Sequence, residues 1–586
     1  MSDSLPQRNG GQILVEALRR NAVDTVYCIP GESYLPVLDA LYDADGIRTV
    51  VTRHEGAASN MADAYGKLTG RPGICFVTRG PGATHAANGV HTAQQDSTPM
   101  ILFVGQVESA FKGREAFQEV DYVQMFSGLA KWAVEIDRIE RIPEIVGRAF
   151  SVATSGRPGP VVVALPEEIL FGSAQVADAP VPRVLPGRPG ATAMAELREL
   201  LANARRPLLV LGGSGWDGAA RKRLGAFVEA NGLPVATSFR RQDLFDNRDP
   251  HYAGQLGFGA APALLERLRQ ADLLLVVGAR LGETPSAGYN LVRSPAPAQT
   301  LVHVHPDSAE LNRVYLARLP IQATPCAFAE ALADLAPLPS STWQDWREAA
   351  HADYLAYSTP AASDPAVQGV DLASVVAYLS ENLPDDAVIA NGAGNYAVWV
   401  HRFYRYRQAR TQLAPTNGAM GYGLPAAIAA SLRDPQRSVV CFAGDGCFMM
   451  YPQELATAAQ FGATPVVIVV NNGMLGTIRM HQEREYPGRV SATRLDNPDF
   501  VALARAFGAH AERVECSADF PAAFRRAPPP PPPPPPGGAA PPPPPPPPGA
   551  GGGGGGAPRG RGTSTFVPGW PGRAVGEVDM RMPCRL

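Results

Sequence analysis

Cysteine is scarce in this sequence and is never closely paired. Seven cysteines are scattered over 586 residues, an odd number with no C-x-x-C spacing. This pattern argues against a disulfide framework of the kind that small secreted domains use, and against a zinc site. We therefore expect a protein that works in a reducing cytoplasm.

Long hydrophobic runs are also missing. No apolar run approaches the ~20 residues that cross a bilayer as a helix. The first residues, MSDSLPQRNGGQILVEALRR, contain no apolar segment typical of a secretory signal. The sequence therefore indicates neither secretion nor membrane insertion.

The charge of the chain has no strong sign. Lys and Arg number 52 and Asp and Glu number 55, which gives a formal net charge of -3. Such a balance does not indicate a basic face for nucleic acid or for a membrane surface. Hydrophobic residues make up 45% of the chain, enough to fill several cores. We expect a large globular protein whose partner is a small molecule.

Three stretches of the sequence alternate short apolar runs with amphipathic segments. This rhythm is typical of parallel strands joined by crossover helices. Proline-rich stretches such as ADAPVPRVLPGRPG separate the three. The pattern predicts an α/β protein with three doubly wound parallel-sheet domains: a first domain over 1–180, a central domain over 190–340 and a third domain over 365–525.

The residues 528–586 depart from this pattern and are interpreted as a low-complexity tail. Proline tracts occupy 528–536 and 541–548, and a glycine tract occupies 551–556. Such tracts cannot bury apolar surface, so we expect the tail to be extended or disordered and to add nothing to an active site. A polyproline ligand for an aromatic groove is one alternative, and a degenerate C-terminus is another. The third domain would then lack its last strand.

A charged residue stands at the end of a buried strand in the third domain. In SVVCFAGDG, Asp445 follows the apolar run and lies between two glycines, and the later run PVVIVV ends in Asn471 and Asn472. Strand ends are where open α/β sheets bind ligands, and carboxylate and amide oxygens suit Mg²⁺. A helix that follows the aspartate would direct its N–H groups at phosphate. An Asp cap beside an unrelated Asn turn is the alternative interpretation.

The G-D-G and N-N pair at this spacing resembles thiamine diphosphate enzymes. The resemblance implies that Asp445, Asn472 and the backbone carbonyl of Met474 hold the metal ion. In the first domain, HEGAASNMADAYGKLTGRPG, TRGPGATHAANGVHTAQQDSTPMILFVGQV and FQEVDYVQMFSGLAKW resemble acetohydroxyacid synthases and their relatives. The likeness extends over most of residues 10–520. It implies that Glu55 hydrogen-bonds the aminopyrimidine ring and promotes deprotonation of the thiazolium C2 atom.

The segment TNGAMGYGLPAAIAA resembles the part of the family that shapes the cofactor. By this resemblance Met420 is the wedge that bends thiamine, and the carbonyl of Gly418 accepts from the 4'-amino group. Core filling is the alternative for Met420. The catalytic residues implied are Glu55, Gln118 and Met420. The cofactor contacts implied are Pro30, Gly31, Gly394, Asn395, Tyr396, Gly418, Met420, Gly444, Asp445, Gly446, Cys447, Asn472, Met474 and Leu475.

Departures from the family pattern concern the substrate. PGES replaces PGG, so Glu32 brings a carboxyl group near the reactants, and GNYA replaces a Gln-His-Gln run of phosphate contacts. His481 stands where many members have a tryptophan that favours larger acceptors. GARLGET retains Arg280 but lacks the aspartates of flavin-containing synthases, which weakens the case for FAD. The substrate contacts implied are Glu32, Phe117, Lys131, Arg280 and His481.

The resemblance implies a carboligase that decarboxylates a 2-keto acid such as pyruvate and joins the product to a second carbonyl. A decarboxylase, a lyase or an acyl transferase of the same superfamily, or a non-catalytic paralogue, are the alternatives. In this superfamily the first domain of one subunit faces the third domain of another. A homodimer or homotetramer is therefore implied, with thiamine diphosphate and Mg²⁺ as cofactors.

Overall fold

The structure is a computed structural model that describes residues 5–336, 338, 343–361 and 369–527, together with the backbone of 572–579. It contains separate parallel sheets with helices on both faces, and each sheet belongs to a different part of the chain. The prediction of an α/β protein with three doubly wound domains is confirmed. Within the described residues, no helix combines the length and the apolar character needed to cross a membrane.

The first sheet is built from strands that are buried almost throughout. Its strands are β2 (Thr25–Cys28), β3 (Arg48–Val51), β4 (Gly73–Val77), β5 (Met100–Gln106), β6 (Trp132–Glu135) and β7 (Pro160–Pro166), and β1 (Gln7–Asn9) pairs antiparallel with β8 (Ser173–Gln175) at its side. The parallel strands have the order β3-β2-β4-β5-β7-β6. Along β5, Leu102 and Val104 face one core and Ile101 and Phe103 face another. This two-sided burial explains why the strands are apolar at every position.

Helices cover both faces of the first sheet. They are α1 (Gly10–Arg20), α2 (Leu35–Tyr42), α3 (Glu55–Thr69), α4 (Pro81–Asp96), α5 (Tyr122–Phe126), α6 (Ile142–Thr154) and α7 (Glu167–Phe171). Short 3-10 helices occur at Glu32–Tyr34, Ser109–Phe111 and Ile139–Arg141.

The central sheet has a different strand order. Its strands are β9 (Pro207–Leu211), β10 (Val235–Thr237), β11 (Tyr252–Gln255), β12 (Leu273–Val277), β13 (Thr300–His305) and β14 (Leu319–Gln322). Their order is β11-β10-β9-β12-β13-β14, which is the order of dinucleotide-binding folds. The helices are α8 (Ala191–Asn203), α9 (Gly218–Asn231), α10 (Pro262–Gln270), α11 (Pro325–Ala333) and α12 (Gln344–Ser358), with a 3-10 helix at Gln242–Leu244.

The third sheet repeats the strand order of the first. Its strands are β15 (Val388–Asn391), β16 (Gln412–Leu413), β17 (Val439–Gly444), β18 (Val466–Asn471), β19 (Ala509–Val514) and β20 (Gly572–Asp579). The order is β16-β15-β17-β18-β20-β19. The helices are α13 (Leu372–Asn382), α14 (Tyr396–Phe403), α15 (Gly423–Arg433), α16 (Asp445–Phe448), α17 (Glu454–Phe461), α18 (Gly476–Glu485), α19 (Phe500–Ala506) and α20 (Phe520–Arg526), with a 3-10 helix at Ser517–Asp519.

At 572–579 the structure corrects the interpretation of 528–586 as a low-complexity tail that is extended or disordered. β20 lies between β18 and β19 and pairs parallel with both, so the third sheet is complete only with residues from the far end of the chain. The sequence interpretation was wrong here because a short strand after long proline and glycine tracts has no length or periodicity to reveal it. The tracts themselves, over 528–571, lie outside the described residues.

The first and third domains meet through α3 and α15. Small residues on both helices, among them Ala58, Ala62 and Ala426, are fully buried in one shared core. At the edge of this contact the Lys67 ammonium donates to the Asp63 carboxylate at 2.9 Å and to the Tyr422 hydroxyl at 3.0 Å. Burial raises the pKa of Asp63. The contact fixes the strand ends of the first domain relative to the third.

Candidate active site

The strand order of the first sheet reverses between β2 and β4, and the loops that follow these strands touch. A Cβ atom on Gly31 would lie 2.4 Å from Cβ of Thr78, so only glycine fits at this approach. The Ser33 hydroxyl lies 2.8 Å from the Thr78 hydroxyl and ties the same loops together. Pro30 and Gly31 therefore lie at the topological switch point, where open α/β sheets bind ligands.

Glu55 lies beside this switch point as the first residue of α3. His54 caps the helix, because its Nδ1 atom accepts from the Gly56 N–H at 2.9 Å. A carboxylate in the first turn is favoured by the helix dipole. The Glu55 Oε2 atom lies 2.9 Å from Nδ1 of His85, which projects from α4. The His54 and His85 rings lie 4.7 Å apart, and burial, followed by the nearby His85, lowers the pKa of His54.

Gln118 reaches the same loops from a strained backbone position. Its φ angle is +64°, a region that residues other than glycine rarely adopt. A Cβ atom on Gly80 would lie 2.7 Å from Cβ of Gln118, and the Gly80 N–H donates to the Tyr122 hydroxyl at 2.7 Å. The Gln118 side-chain oxygen is buried without a hydrogen-bond partner among the described residues. A buried, unsatisfied acceptor favours a ligand that donates to it.

The third sheet has its own switch point, between β15 and β17, and Tyr396 joins the two loops there. The Gly392 N–H donates to the Tyr396 hydroxyl at 3.0 Å, and that hydroxyl lies 3.5 Å from the sulfur of Cys447. The Gly421 N–H donates to the same sulfur at 3.1 Å. Burial raises the pKa of Tyr396 far above its ordinary value. The Tyr396 and Cys447 side chains therefore hold the loops of this switch point together through hydrogen bonds within the protein.

Asp445 lies immediately after β17 at this switch point. Its Oδ1 atom accepts from the Gly446 N–H at 2.9 Å and its Oδ2 atom from the Gly473 N–H at 2.8 Å. The Asn472 side-chain oxygen accepts from the Met474 N–H at 3.1 Å. The carboxylate and the amide oxygen therefore belong to one small loop cluster, as the sequence spacing predicts. A carboxylate, an amide and backbone carbonyls are a donor set that fits Mg²⁺.

Asn497 is a member of this cluster that the sequence interpretation missed. Its side-chain N–H₂ group donates to Oδ2 of Asp445 at 2.7 Å and to Oδ1 of Asn471 at 3.0 Å. The residue holds the ends of both strands together from a loop that precedes α19. The N-P-D-F letters around it show a helix cap at Asp499 but do not indicate this contact.

Apolar side chains cover the glycine that follows Asp445. If Gly446 carried a Cβ atom, that atom would lie 2.9 Å from the Leu475 side chain and 3.6 Å from Cε of Met420. Met420 therefore projects over the glycine that follows Asp445. It lies close in sequence to Gly418, whose φ angle is +72°. The Asn395 side-chain oxygen accepts from the Thr477 hydroxyl at 2.9 Å, which ties α18 to the same loop.

The residues proposed as substrate contacts are not all brought together. The Glu32 carboxylate is 66% exposed and lies 3.4 Å from Arg79, and Phe117 is 74% exposed. His481 is exposed on α18, with Nδ1 2.9 Å from Arg484. Lys131 is placed elsewhere: its ammonium donates to the carbonyls of Val152 and Ser155 at the C-terminal end of α6.

Arg280 and other residues of the central domain contact the first domain at the C-terminal end of α4. The Arg280 guanidinium donates to the carbonyl of Gln95 on α4 at 3.1 Å. At the central switch point, Arg157 forms an ion pair with Glu310 at 2.8 Å, and the Ser214 hydroxyl donates to the carbonyl of Ser97 at 2.6 Å. Polar groups suited to a nucleotide are thus engaged with each other and with the first domain.

Family models match all three domains. The model described as "Thiamine pyrophosphate enzyme, N-terminal TPP binding domain" matches residues 8–125. The models for the central domain and for the C-terminal TPP binding domain of the same family match 194–332 and 392–531.

Curated relatives match along most of the chain. The acetolactate synthase isozyme 2 large subunit of Escherichia coli (strain K12) is 33% identical over 86% of this chain and 91% of its own length. The acetolactate synthase large subunit of Parasynechococcus marenigrum is 34% identical over 85% and 82%. The probable acetolactate synthase large subunit of Methanocaldococcus jannaschii is 32% identical over 86% and 87%. The chain therefore belongs to the thiamine pyrophosphate (thiamine diphosphate) enzyme family.

Proposed function

We propose that this protein decarboxylates a 2-keto acid, pyruvate first of all, and joins the remaining two-carbon unit to a second carbonyl compound. The observation that carries the proposal is the presence of two complementary half-sites in one chain. Glu55 and Gln118 lie at the switch point of the first sheet, and Asp445 and Asn472 lie at that of the third. The likeness to three acetolactate synthases supports this particular chemistry.

The third domain fits the diphosphate end of the cofactor. Asp445, the side chain of Asn472 and the carbonyl of Met474 would hold Mg²⁺. The turn from Gly394 to Asn395 and the N–H groups at the start of α16 would receive phosphate oxygens. Met420 and Leu475 already narrow the space above Gly446. Phosphate and metal would therefore be held mainly by backbone and by short side chains.

The first domain fits the reactive end. Thiamine diphosphate, when bound, supplies the carbon nucleophile that attacks the keto acid. Glu55 would hold a proton against the aminopyrimidine ring, and Gln118 would direct its buried amide at the reactants. Glu32 and Phe117 are exposed next to these groups and would limit which second carbonyl enters.

A second subunit completes the site in this proposal. Large apolar side chains around both half-sites are exposed in the single chain, among them Phe117 at 74%, Ile478 at 51% and Met450 at 49%. Exposed apolar surface of this kind favours cover by another protein surface. We propose a homodimer, or a pair of dimers, in which the first domain of one subunit meets the third domain of the other.

Cytoplasm is the compartment we propose, because the cysteines of the described residues are all free thiols. FAD is not part of the proposal. The aspartates of flavin-containing synthases are absent from GARLGET, and Arg157 is paired with Glu310 at the central switch point.

Product analysis tests the proposal and separates it from its alternatives. Purified protein would be incubated with thiamine diphosphate, Mg²⁺ and isotopically labelled pyruvate, and the products followed by NMR. We expect labelled acetolactate and carbon dioxide. Free acetaldehyde alone would indicate a simple decarboxylase, and product only after addition of a separate acyl acceptor would indicate an acyl transferase. Intact pyruvate in a protein that binds the cofactor would indicate a different substrate or a non-catalytic paralogue.

A further inference from the structure

We propose that His85 is a positioning residue for catalysis: it fixes the rotation of the Glu55 carboxyl group so that one oxygen faces the cofactor. The inference rests on the proposed role of Glu55 and adds a residue that the family pattern did not indicate. His85 acts through Glu55 and is not itself placed against the reacting atoms.

The two oxygens of Glu55 have different surroundings. Oε2 lies 2.9 Å from Nδ1 of His85. In the described part of the chain, His85 is the one side chain in hydrogen-bond contact with this carboxylate. Oε1 lies 3.7 Å from the point where a Cβ atom on Gly82 would stand, above a residue that has no side chain. The histidine therefore binds one oxygen of the carboxylate, and the other oxygen lies beside Gly82 near the start of α4.

The fold does not need His85 for packing. The His85 side chain is 51% exposed on α4, whereas the neighbouring Ala83 and Ala86 are fully buried and hold the helix to its core. A half-exposed polar residue whose side chain hydrogen-bonds one carboxylate contributes little to the core. Its replacement is therefore expected to leave the first domain folded.

His54 limits the positions that the His85 ring can take. The His54 ring is fixed because its Nδ1 atom accepts from the Gly56 N–H. Its centroid lies 4.7 Å from that of the His85 ring and 5.1 Å from that of the Tyr451 ring of the third domain, and both pairs of rings are tilted. The contacts of Tyr451 with His54 and of His54 with His85 thus connect the third domain to the residue that binds Glu55.

His54, Glu55 and His85 also form a group of three side chains whose ligand atoms lie within 4.8 Å of one another, a spacing that a metal ion could use. Two features favour positioning instead. The carboxylate and Nδ1 of His85 already satisfy each other, and Glu55 stands at the positive N-terminal end of α3, which disfavours a cation.

Two substitutions of His85 distinguish the effect of its hydrogen bond to Glu55 from the effect of its side-chain shape. In asparagine the amide nitrogen is bonded to Cγ, as Nδ1 is in histidine, so His85→Asn retains a donor at the same place. His85→Leu puts a methyl group there. We expect His85→Leu to slow proton exchange at the cofactor C2 atom by about tenfold, the effect of one hydrogen bond to a charged group. We expect His85→Asn to stay within about threefold of the unaltered protein.

The experiment measures hydrogen–deuterium exchange at C2 in the full-length protein with thiamine diphosphate and Mg²⁺, by acid quench and NMR. Cofactor affinity is measured in parallel by calorimetry and should be unchanged in both variants. Glu55→Gln is included and should slow exchange by at least about a hundredfold. The double variant Glu55→Gln/His85→Leu should be no slower than Glu55→Gln, because His85 acts through that carboxyl group. Thr84→Ala, on the same exposed turn of α4, is the control.

Different outcomes would contradict the role of His85 and the role of Glu55. Unaltered exchange in His85→Leu, or equal slowing in His85→Leu and His85→Asn, would remove His85 while leaving the role of Glu55 intact. A double variant slower than Glu55→Gln would show that His85 acts independently of Glu55. Normal exchange in Glu55→Gln would remove Glu55 itself, and the inference about His85 with it.

Discussion

Asn471 at the end of β18 stands in register with Asp579 at the end of β20. β18, which leads into the proposed metal-binding loop, thus pairs on one side with β20, a strand that follows the proline and glycine tracts in the sequence. The first and third sheets have the same strand order, and this equivalence holds only if β20 occupies its place between β18 and β19. Residues 572–579 are therefore part of the third domain.

This relationship predicts different results for two deletions. Truncation after Ala527 removes β20, exposes the edges of β18 and β19, and should cause aggregation or loss of thiamine diphosphate binding. Deletion of 528–571, with a short Gly-Ser linker between α20 and β20, should leave solubility and cofactor affinity close to those of the full chain, because αβ loops are commonly short. Calorimetry and light scattering measure both properties. Equal behaviour of the two deletion variants would contradict the role of β20.

Asp445→Ala should abolish metal-dependent binding of thiamine diphosphate. The change removes the carboxylate proposed for Mg²⁺, removes the acceptor of the Gly446 N–H, and leaves the Gly473 N–H with its longer contact, at 3.3 Å, to Oδ1 of Asn471. Asp496→Ala is a matched control, since Asp496 is 81% exposed near the same loop and pairs, in the part of the chain that the structure describes, with Arg494. Titration calorimetry with and without Mg²⁺ checks the prediction. Normal cofactor affinity in Asp445→Ala would refute the metal assignment.

The buried carboxyl group of Glu454 should make the stability of the folded protein depend on pH. The side chain is fully buried between the first and third domains and accepts from the Arg53 N–H at 3.0 Å, and burial raises its pKa to about 7. Because the folded-state pKa lies above the unfolded value, its contribution to stability is present at low pH. That contribution is lost as the pH rises from 4.5, the ordinary pKa of a glutamate carboxyl group, toward about 7.

The variant Glu454→Gln should therefore lose less stability than the unaltered protein between about pH 5 and about pH 7. The slopes of unfolding free energy against pH should differ by at most ~1.4 kcal/mol per pH unit, because folding is linked to the binding of one proton at Glu454. Chemical unfolding at several pH values measures it. Glu381→Gln, at an exposed position on α13, is the control and should parallel the unaltered protein. Parallel curves for Glu454→Gln as well would show that Glu454 does not titrate in this range.

Apart from β20, local patterns in the sequence were sufficient for the strands and for the approach of Asp445 to the loop that contains Asn472. An apolar run that ends in Asp445, and another that ends in Asn471 and Asn472, place oxygen ligands at adjacent strand ends because neighbouring parallel strands end at the same edge. Asn497 and His85 could not be found in this way. Asn497 is 52 residues from Asp445 and His85 is 30 residues from Glu55. Their contacts depend on how loops and helices pack, which neither periodicity nor spacing reports.

β20 was missed for a related reason. Gly572–Asp579 contains two glycines and few strand-forming residues, so its intrinsic preference for a strand is weak. It forms a strand because β18 and β19 offer paired edges on both sides. Sheet membership here is decided by tertiary partners and not by the segment itself.

The central claim is that Glu55 and Asp445 serve one active site, built from the first domain of one subunit and the third domain of another. Co-expression of Glu55→Gln and Asp445→Ala chains with different affinity tags, followed by tandem purification, isolates the mixed dimer. One of its two sites would contain both intact residues, so we predict pyruvate consumption near half that of the unaltered dimer, while each single variant alone is inactive. A mixed dimer as inactive as its parents would contradict a shared site between subunits.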